Sequence, residues 1–329
     1  MKFGFLTLFV LLLLSGCKTE LKQHPIQFYY WKSNVNIGET EQAYFNQLGS
    51  DKLYIRLFDV VKKDGNSSPT AIIKKFDARR LKTEYIPVVY FVNEVMNGIS
   101  NDEIKKLATD VNGLIQNLAA ENDLGDFNEI QIDCDWTEGT KDAYFLFLNE
   151  LRKISHKEIS STLRLHQVKY RKKTGIPPVD KVYLMCYATS SPIEEEEKNS
   201  ILDLDLLKDY LKNIEDYPLK MDVALPIYSW AVVTNHLGKK MLINAVSESD
   251  LENPAFRKLE NGYYEATDNV FLKGIYLNEG FKIKPETISA GLLKQTRAFL
   301  DSKIKTDYQI IYYHLDAQFL DRFEIADLN

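Results

Sequence analysis

Between Glu129 and Glu138 the chain reads Glu-Ile-Gln-Ile-Asp-Cys-Asp-Trp-Thr-Glu, and this stretch limits the fold more than any other. In an extended strand side chains alternate faces, so Ile130, Ile132 and Cys134 share one side while Gln131, Asp133 and Asp135 share the other. A strand flanked by helices is normally covered on both faces, and an ionised carboxylate is costly to bury unless it is paired. The acidic face therefore needs a polar cavity. A closed parallel barrel, whose strands end at an open mouth, provides one.

The rest of the chain supplies the other strands. Strand patterns at 27–31, 52–61, 85–92, 129–135, 159–168, 181–187, 221–233 and 307–315 alternate with helical patterns. The clearest helix is capped near Asn101 and carries Ile104, Leu107, Val111, Leu114, Ile115 and Leu118 at helical spacing. Residues 62–69 read as a loop by their turn chemistry. Pro226 marks a bend inside the seventh strand. Residues 235–268 fit no single element and read as an excursion of hairpins over the mouth, with 269–277 as an extra strand belonging to it. The expected fold is a (β/α)8 TIM-like barrel with an inserted excursion after strand seven. No phosphate-cradling glycine motif follows the first strand, which disfavours an open dinucleotide-binding sheet.

The amino terminus precedes this domain. Met1-Lys2 and an apolar run from Phe3 to Leu14, too short to span a bilayer as a permanent helix, read as a secretory signal. Its end, Leu14-Ser15-Gly16-Cys17, resembles the lipobox of bacterial lipoproteins. That resemblance implies cleavage before Cys17, acylation of Cys17 and attachment to a bacterial envelope membrane, with the outer membrane the expected one. The expected organisation is a signal and lipobox at 1–17, a tether at 18–26 and one barrel domain at 27–329.

The formal charge of −6 argues against a nucleic-acid partner. Cys134 and Cys186 lie in apolar strand-like runs and read as buried thiols rather than a disulfide framework. The five histidines show no metal-ligand spacing, and neither a metal nor another cofactor is expected. Glu194 to Glu197 reads as a solvated acidic loop, not a calcium site.

In a barrel the C-terminal strand ends converge. Here they bring Trp31, Arg56, Trp136, His166, Tyr187, Tyr228, Trp230, His314 and Asp316 around Asp133 and Asp135, with Glu94 and Asp59 at neighbouring strand ends. Carboxylates, amides and aromatic rings together suit sugars, which offer hydroxyls to polar groups and C–H faces to rings. The expected partner is an oligosaccharide or envelope glycan.

Ile132-Asp133-Cys134-Asp135-Trp136-Thr137 resembles the fourth-strand signature of family 18 glycoside hydrolases, chitinase-like barrels in which alternating aspartates lead through Trp to a catalytic Glu. Asp133 and Asp135 match. Thr137 stands where the proton-donating Glu would be, and Ile130 where the outer aspartate would be. Phe28 to Lys32, Ile130 to Thr137 and Ala224 to Trp230 also resemble a group of bacterial lipoproteins of TIM-barrel, glycoside-hydrolase-like type, which supports fold and location without assigning an activity.

Glycoside hydrolysis usually needs two carboxyl groups flanking the scissile bond. The candidates are Asp133, Asp135 and Glu94, with Glu138 able to contribute only through a bulge. Arg56 is a candidate partner of Asp133, which would make Asp133 structural. His314 and Asp316 share a face, as an acid/base pair or as a solvent-facing strand end. Two classes stay open: a glycoside-hydrolase-like enzyme, and a catalytically silent barrel that binds a glycan or protein.

Overall fold

Local patterning accounts for most of the elements in the computed structural model, which describes residues 22–194 and 198–329. The signal, Cys17 and most of the tether, together with Glu195 to Glu197, lie outside the described residues. In chain order the elements begin with β1 (Ile26–Tyr30), α1 (Glu39–Gln47), β2 (Lys52–Lys63), β3 (Asn66–Thr70) and β4 (Glu84–Phe91). Then come α2 (Asn101–Glu121), β5 (Glu129–Cys134), α3 (Lys141–Ser155), β6 (Glu158–Arg164), α4 (Leu165–Lys169), α5 (Arg171–Thr174), β7 (Lys181–Met185), α6 (Leu204–Tyr210) and β8 (Lys220–Pro226).

The excursion holds β9 (Trp230–Thr234), β10 (Lys240–Asn244), β11 (Phe256–Lys258), β12 (Tyr264–Ala266), β13 (Val270–Leu272), β14 (Ile275–Leu277) and β15 (Lys282–Glu286). The chain ends with α7 (Ala290–Lys303), β16 (Ile310–Tyr313), α8 (Ala317–Leu320) and α9 (Ile325–Leu328). Strands β1, β2, β4, β5, β6, β7, β8 and β16 pair in parallel, and the β1–β2 and β1–β16 pairings close the ring. This is a closed barrel with flanking helices, the TIM-like (β/α)8 arrangement.

Helix α2 shows how the ring is covered. Ser100, not Asn101, is its cap: the Ser100 hydroxyl accepts from the Glu103 amide and the Glu103 carboxylate accepts from the Ser100 amide. Such a cap contributes about 1 kcal/mol. The stripe from Ile104 through Leu107, Val111 and Ile115 to Leu118 is buried, each aliphatic side chain contributing roughly 1.5–3 kcal/mol.

Four elements differ from the sequence reading. The expected loop after strand two is a hairpin, because β2 continues to Lys63 and β3 pairs back on it around Asp64-Gly65. The expected fifth strand, 159–168, stops at Arg164 as β6, and α4 begins where it was expected to continue. Strand seven ends at Pro226, and Trp230 to Thr234 belongs to the excursion. Its sheet runs β10-β9-β15-β12-β11 around a second core that includes Val233, Ile243, Leu251, Leu277 and Ile283. The stretch 269–277 is a two-stranded hairpin, β13–β14, turning at Lys273-Gly274.

The alternation along β5 appears as expected. A bond across the ring, Tyr54 OH to Tyr183 OH at 2.9 Å, joins strands that are not neighbours and so marks the interior. Glu129 lies in that interior, accepting from Ser160 at 2.5 Å and from Tyr183 at 2.7 Å.

Candidate functional site

The C-terminal ends of the strands surround a cavity of about 230 Å³. Asp133 from β5, Asp135 just past its end and Arg164 from β6 form one side, Trp31, Arg56 and Asp59 another, and Tyr90, Met185, Tyr187 and Tyr313 complete it. No group of His, Cys, Asp and Glu able to hold a metal ion exists among the described residues.

Two aspartates two residues apart, one in β5 and one just past it, have different environments. Asp133 is 5% exposed and accepts a 2.6 Å bond from Thr162. Burial, and then the charge of Asp135, push its carboxyl up to about 7, against the opposing pull of Thr162 and Arg164. Near neutral pH Asp133 is thus poised between acid and carboxylate. Asp135 is more open and meets Arg164 Nε at 2.9 Å. Burial alone would lower the Arg164 pKa, but Asp135 and Asp133 outweigh it and the net shift is upward.

Arg56 does not pair with Asp133. Its Nη1 lies 3.2 Å from Asp59 and its Nη2 donates to Ser33 at 3.0 Å. Strict alternation would put Arg56 and Asp59 on opposite faces. A register shift between Arg56 and Phe58 breaks the alternation of β2 and brings both to the mouth. Burial raises the Asp59 pKa despite Arg56.

A second cavity of about 490 Å³ adjoins the first and shares Arg164, Tyr187 and Tyr313 with it. It also meets Tyr228, Trp230 and His314, so the expected residues Trp31, Arg56, Tyr187, Tyr228, Trp230 and His314 are gathered around two connected spaces. Tyr228 links the rings, with centroids 6.0 Å from Tyr187, 5.6 Å from Tyr313 and 5.3 Å from Trp230. Burial raises the pKa values of Tyr187, Tyr228 and Tyr313, so their hydroxyls stay protonated and able to donate.

Other expected site residues lie elsewhere. Trp136 is fully buried, stacked on Tyr144 at 5.2 Å with its indole N–H donated to Thr174 O at 2.9 Å, so its ring is a packing element and not a platform. Glu94 is exposed on a short turn and does not line either cavity. His166 is half-buried on α4, where burial lowers its pKa, and it too lies off both cavities. Asp316 is buried rather than solvent-facing, binds Lys32 at 2.6 Å and caps α8, and stands 3.8 Å from His314. Thr137 and Glu138 are exposed just beyond β5. Cys134 and Cys186 are free and buried.

The sequence reading misses Arg164, Tyr90, Met185 and Tyr313. Arg164 had a usable signal, since Ser160, Thr162 and Arg164 alternate along β6 as the polar face of β5 does.

No family model and no curated protein matches this sequence. Solved structures resemble it in fold. The spore cortex-lytic enzyme SleL of Bacillus cereus aligns with TM-score 0.56 at 16% identity, covering 94% of this chain and 74% of that one. The chitinase of Chromobacterium violaceum aligns at 0.54 and 13%, covering 93% and 98%. The class V chitinase of Nicotiana tobaccum aligns at 0.52 and 10%, covering 93% and 97%.

Proposed function

We propose that this chain is a bacterial envelope lipoprotein that binds an oligosaccharide at the C-terminal mouth of its barrel without cleaving it. The observation that carries the reading is the aromatic wall of Tyr187, Tyr228, Trp230 and Tyr313 beside a cavity holding Asp133, Asp135 and two guanidinium groups. Ring faces meet sugar C–H faces, and the charged groups and phenols meet hydroxyls. Together the cavities fall within the roughly 300–1,000 Å³ usual for small-molecule sites. Support by analogy comes from the chitinases of this fold, one of them a Nicotiana tobaccum class V mutant solved with NAG4.

Binding without cleavage is favoured by the residue at position 137. The matched signature places its proton donor there, and this chain has an exposed threonine. A second reading, hydrolysis, draws on one observation: Asp133, held near 7, sits beside Asp135, which is paired with Arg164 at 2.9 Å. Two neighbouring carboxyls in such different surroundings suit acid/base work.

A glycan panel offered to the full chain separates the readings. Binding without turnover is expected, weakened at least about tenfold by Tyr228→Ala or Tyr187→Ala. Turnover abolished by Asp135→Asn would establish hydrolysis instead, and glycan binding untouched by both tyrosine variants would sink the sugar reading. The anchor is tested apart from the site: Cys17→Ser is expected to move the chain from the membrane fraction to the soluble fraction.

A further inference from the structure

The charges around the first cavity do not balance. Asp59, Asp133 and Asp135 line it against only two cations, Arg56 and Arg164. The remaining lining groups carry no charge, because burial raises the pKa values of Tyr90, Tyr187 and Tyr313 and their phenols stay protonated. With all three carboxylates ionised, the wall is one positive charge short.

The shortage falls on one residue. Arg56 spans both oxygens of Asp59 through Nη1 at 3.2 Å, donates to Ser33 through Nη2 and has its Nε shut away from solvent. Arg164 holds Asp135 through Nε at 2.9 Å. Asp133 has no cation of its own. Its Oδ1 accepts from Thr162, while its Oδ2 meets neither a donor nor a cation among the described residues. The amide of Gln131, two residues back on the same face, is also unpartnered but is sealed from solvent; Oδ2 is not sealed, and it opens onto the cavity that Asp133 lines. The neighbouring groups register the same excess. Burial first, and then the charge of Asp135 and Asp133, push the Tyr90 phenol up to about 12, and burial followed by Asp135 and Asp59 outweighs Thr162 and Arg164 at Asp133 itself.

We infer that the first cavity takes a sugar carrying a free ammonium group, a de-N-acetylated amino sugar, with the ammonium held at Asp133 Oδ2. The inference rests on the glycan reading of the mouth and deepens it from an oligosaccharide of any kind to an amino-sugar one. The ammonium brings the missing positive charge and up to three donors. Repulsion from the two guanidinium groups is offset by the carboxylate that each already holds. A hydroxyl or an acetamido group in the same place can donate a bond but leaves the buried carboxylate's charge uncompensated, which is costly.

Tetrasaccharides of glucosamine, N-acetylglucosamine and glucose, β-1,4- and β-1,6-linked, differ within each linkage only at C2, and they are titrated calorimetrically into the full chain at about 0.15 M salt. In at least one linkage the glucosamine tetramer is expected to bind about tenfold more tightly at pH 7 than either neutral counterpart, equivalent to roughly 1.4 kcal/mol. Asp133→Asn should bring that ratio close to one. Asp126→Asn, which removes the same charge from an exposed position ahead of β5, should leave it unchanged. Asp133 is mostly protonated at pH 6, so glucosamine binding there should release most of one proton, and it should tighten from pH 5 to pH 7. Calorimetry in two buffers of different protonation enthalpy counts the proton. A ratio of one in the unaltered chain overturns the inference, as does glucosamine binding without proton release. A ratio lowered equally by both substitutions overturns it too, since the chain's overall negative charge would then account for the preference. If neutral oligosaccharides bind and the ammonium adds nothing, only this inference fails. If no oligosaccharide binds, the glycan reading fails with it.

Discussion

Glu129 and Asp133 lie four residues apart on the inner face of one strand, both nearly inaccessible to solvent, yet the closed end of the barrel and its mouth treat them differently. At the closed end Glu129 accepts from Ser160 and Tyr183 and lies 3.5 Å from Lys181, which also reaches Asp222 at 3.0 Å. Burial alone would lower the Lys181 pKa, but the two carboxylates reverse the shift. At the mouth Asp133 has one hydroxyl donor and a like-charged neighbour. A buried carboxylate with enough partners is structure. One left short of them holds a proton that a ligand or a change of pH can take.

The largest effect that would sharpen this contrast lies at the closed end. Lys181→Met leaves Glu129 and Asp222 without their shared cation, and the expected loss is about 3–5 kcal/mol of unfolding free energy. Chemical denaturation measures it. A loss below about 1 kcal/mol would mean that the closed end is no better satisfied than the mouth.

Asp133→Asn tests the other half of the comparison. The folded pKa of Asp133 is raised, so the stability tied to its protonated form is complete below the ordinary value of 3.8 and is lost as pH climbs through about 7. Asparagine keeps an acceptor for Thr162 and does not titrate. The variant should therefore gain stability relative to the parent progressively from pH 4 to pH 7, and the difference should level off above that. Parallel stability curves across this range would show that Asp133 is as well accommodated as Glu129.

The smallest expected effect belongs to His314. Its folded pKa is lowered to about 4, so the stability tied to its neutral ring is present above the ordinary 6.5 and is lost as pH falls through that window. This slope opposes that of Asp133. In His314→Phe the Asp133 slope should stand uncovered, with stability falling more steeply between pH 4 and pH 6.5 than in the parent chain. An unchanged slope would remove His314 from the electrostatic contrast.

Much of the barrel is legible in the sequence, and the way in which the site was only partly legible follows the same division. Tyr187 and Tyr228 lie just past the ends of β7 and β8, as strand-end aromatics should, whereas Trp230 opens β9 in the excursion and reaches the cavity from there. Trp136 read the same way, yet it turns inward onto Tyr144, a contact between β5 and the following helix that its own neighbours in sequence do not announce. Arg164 was missed because the expected fifth strand was drawn past the true end of β6, into α4.

Period-two and helical patterns, turn residues and the polar face of β5 determine the ring of strands and the direction in which Asp133 points, because each is a property of a few consecutive residues. Which cation meets which carboxylate is another matter. Arg56 reaches Asp59 only because β2 bulges between them, and Arg164 reaches Asp135 only because β6 lies beside β5. Ion pairs and burial depend on through-space distance across closed neighbours, and in this chain that distance exists only once the barrel has closed.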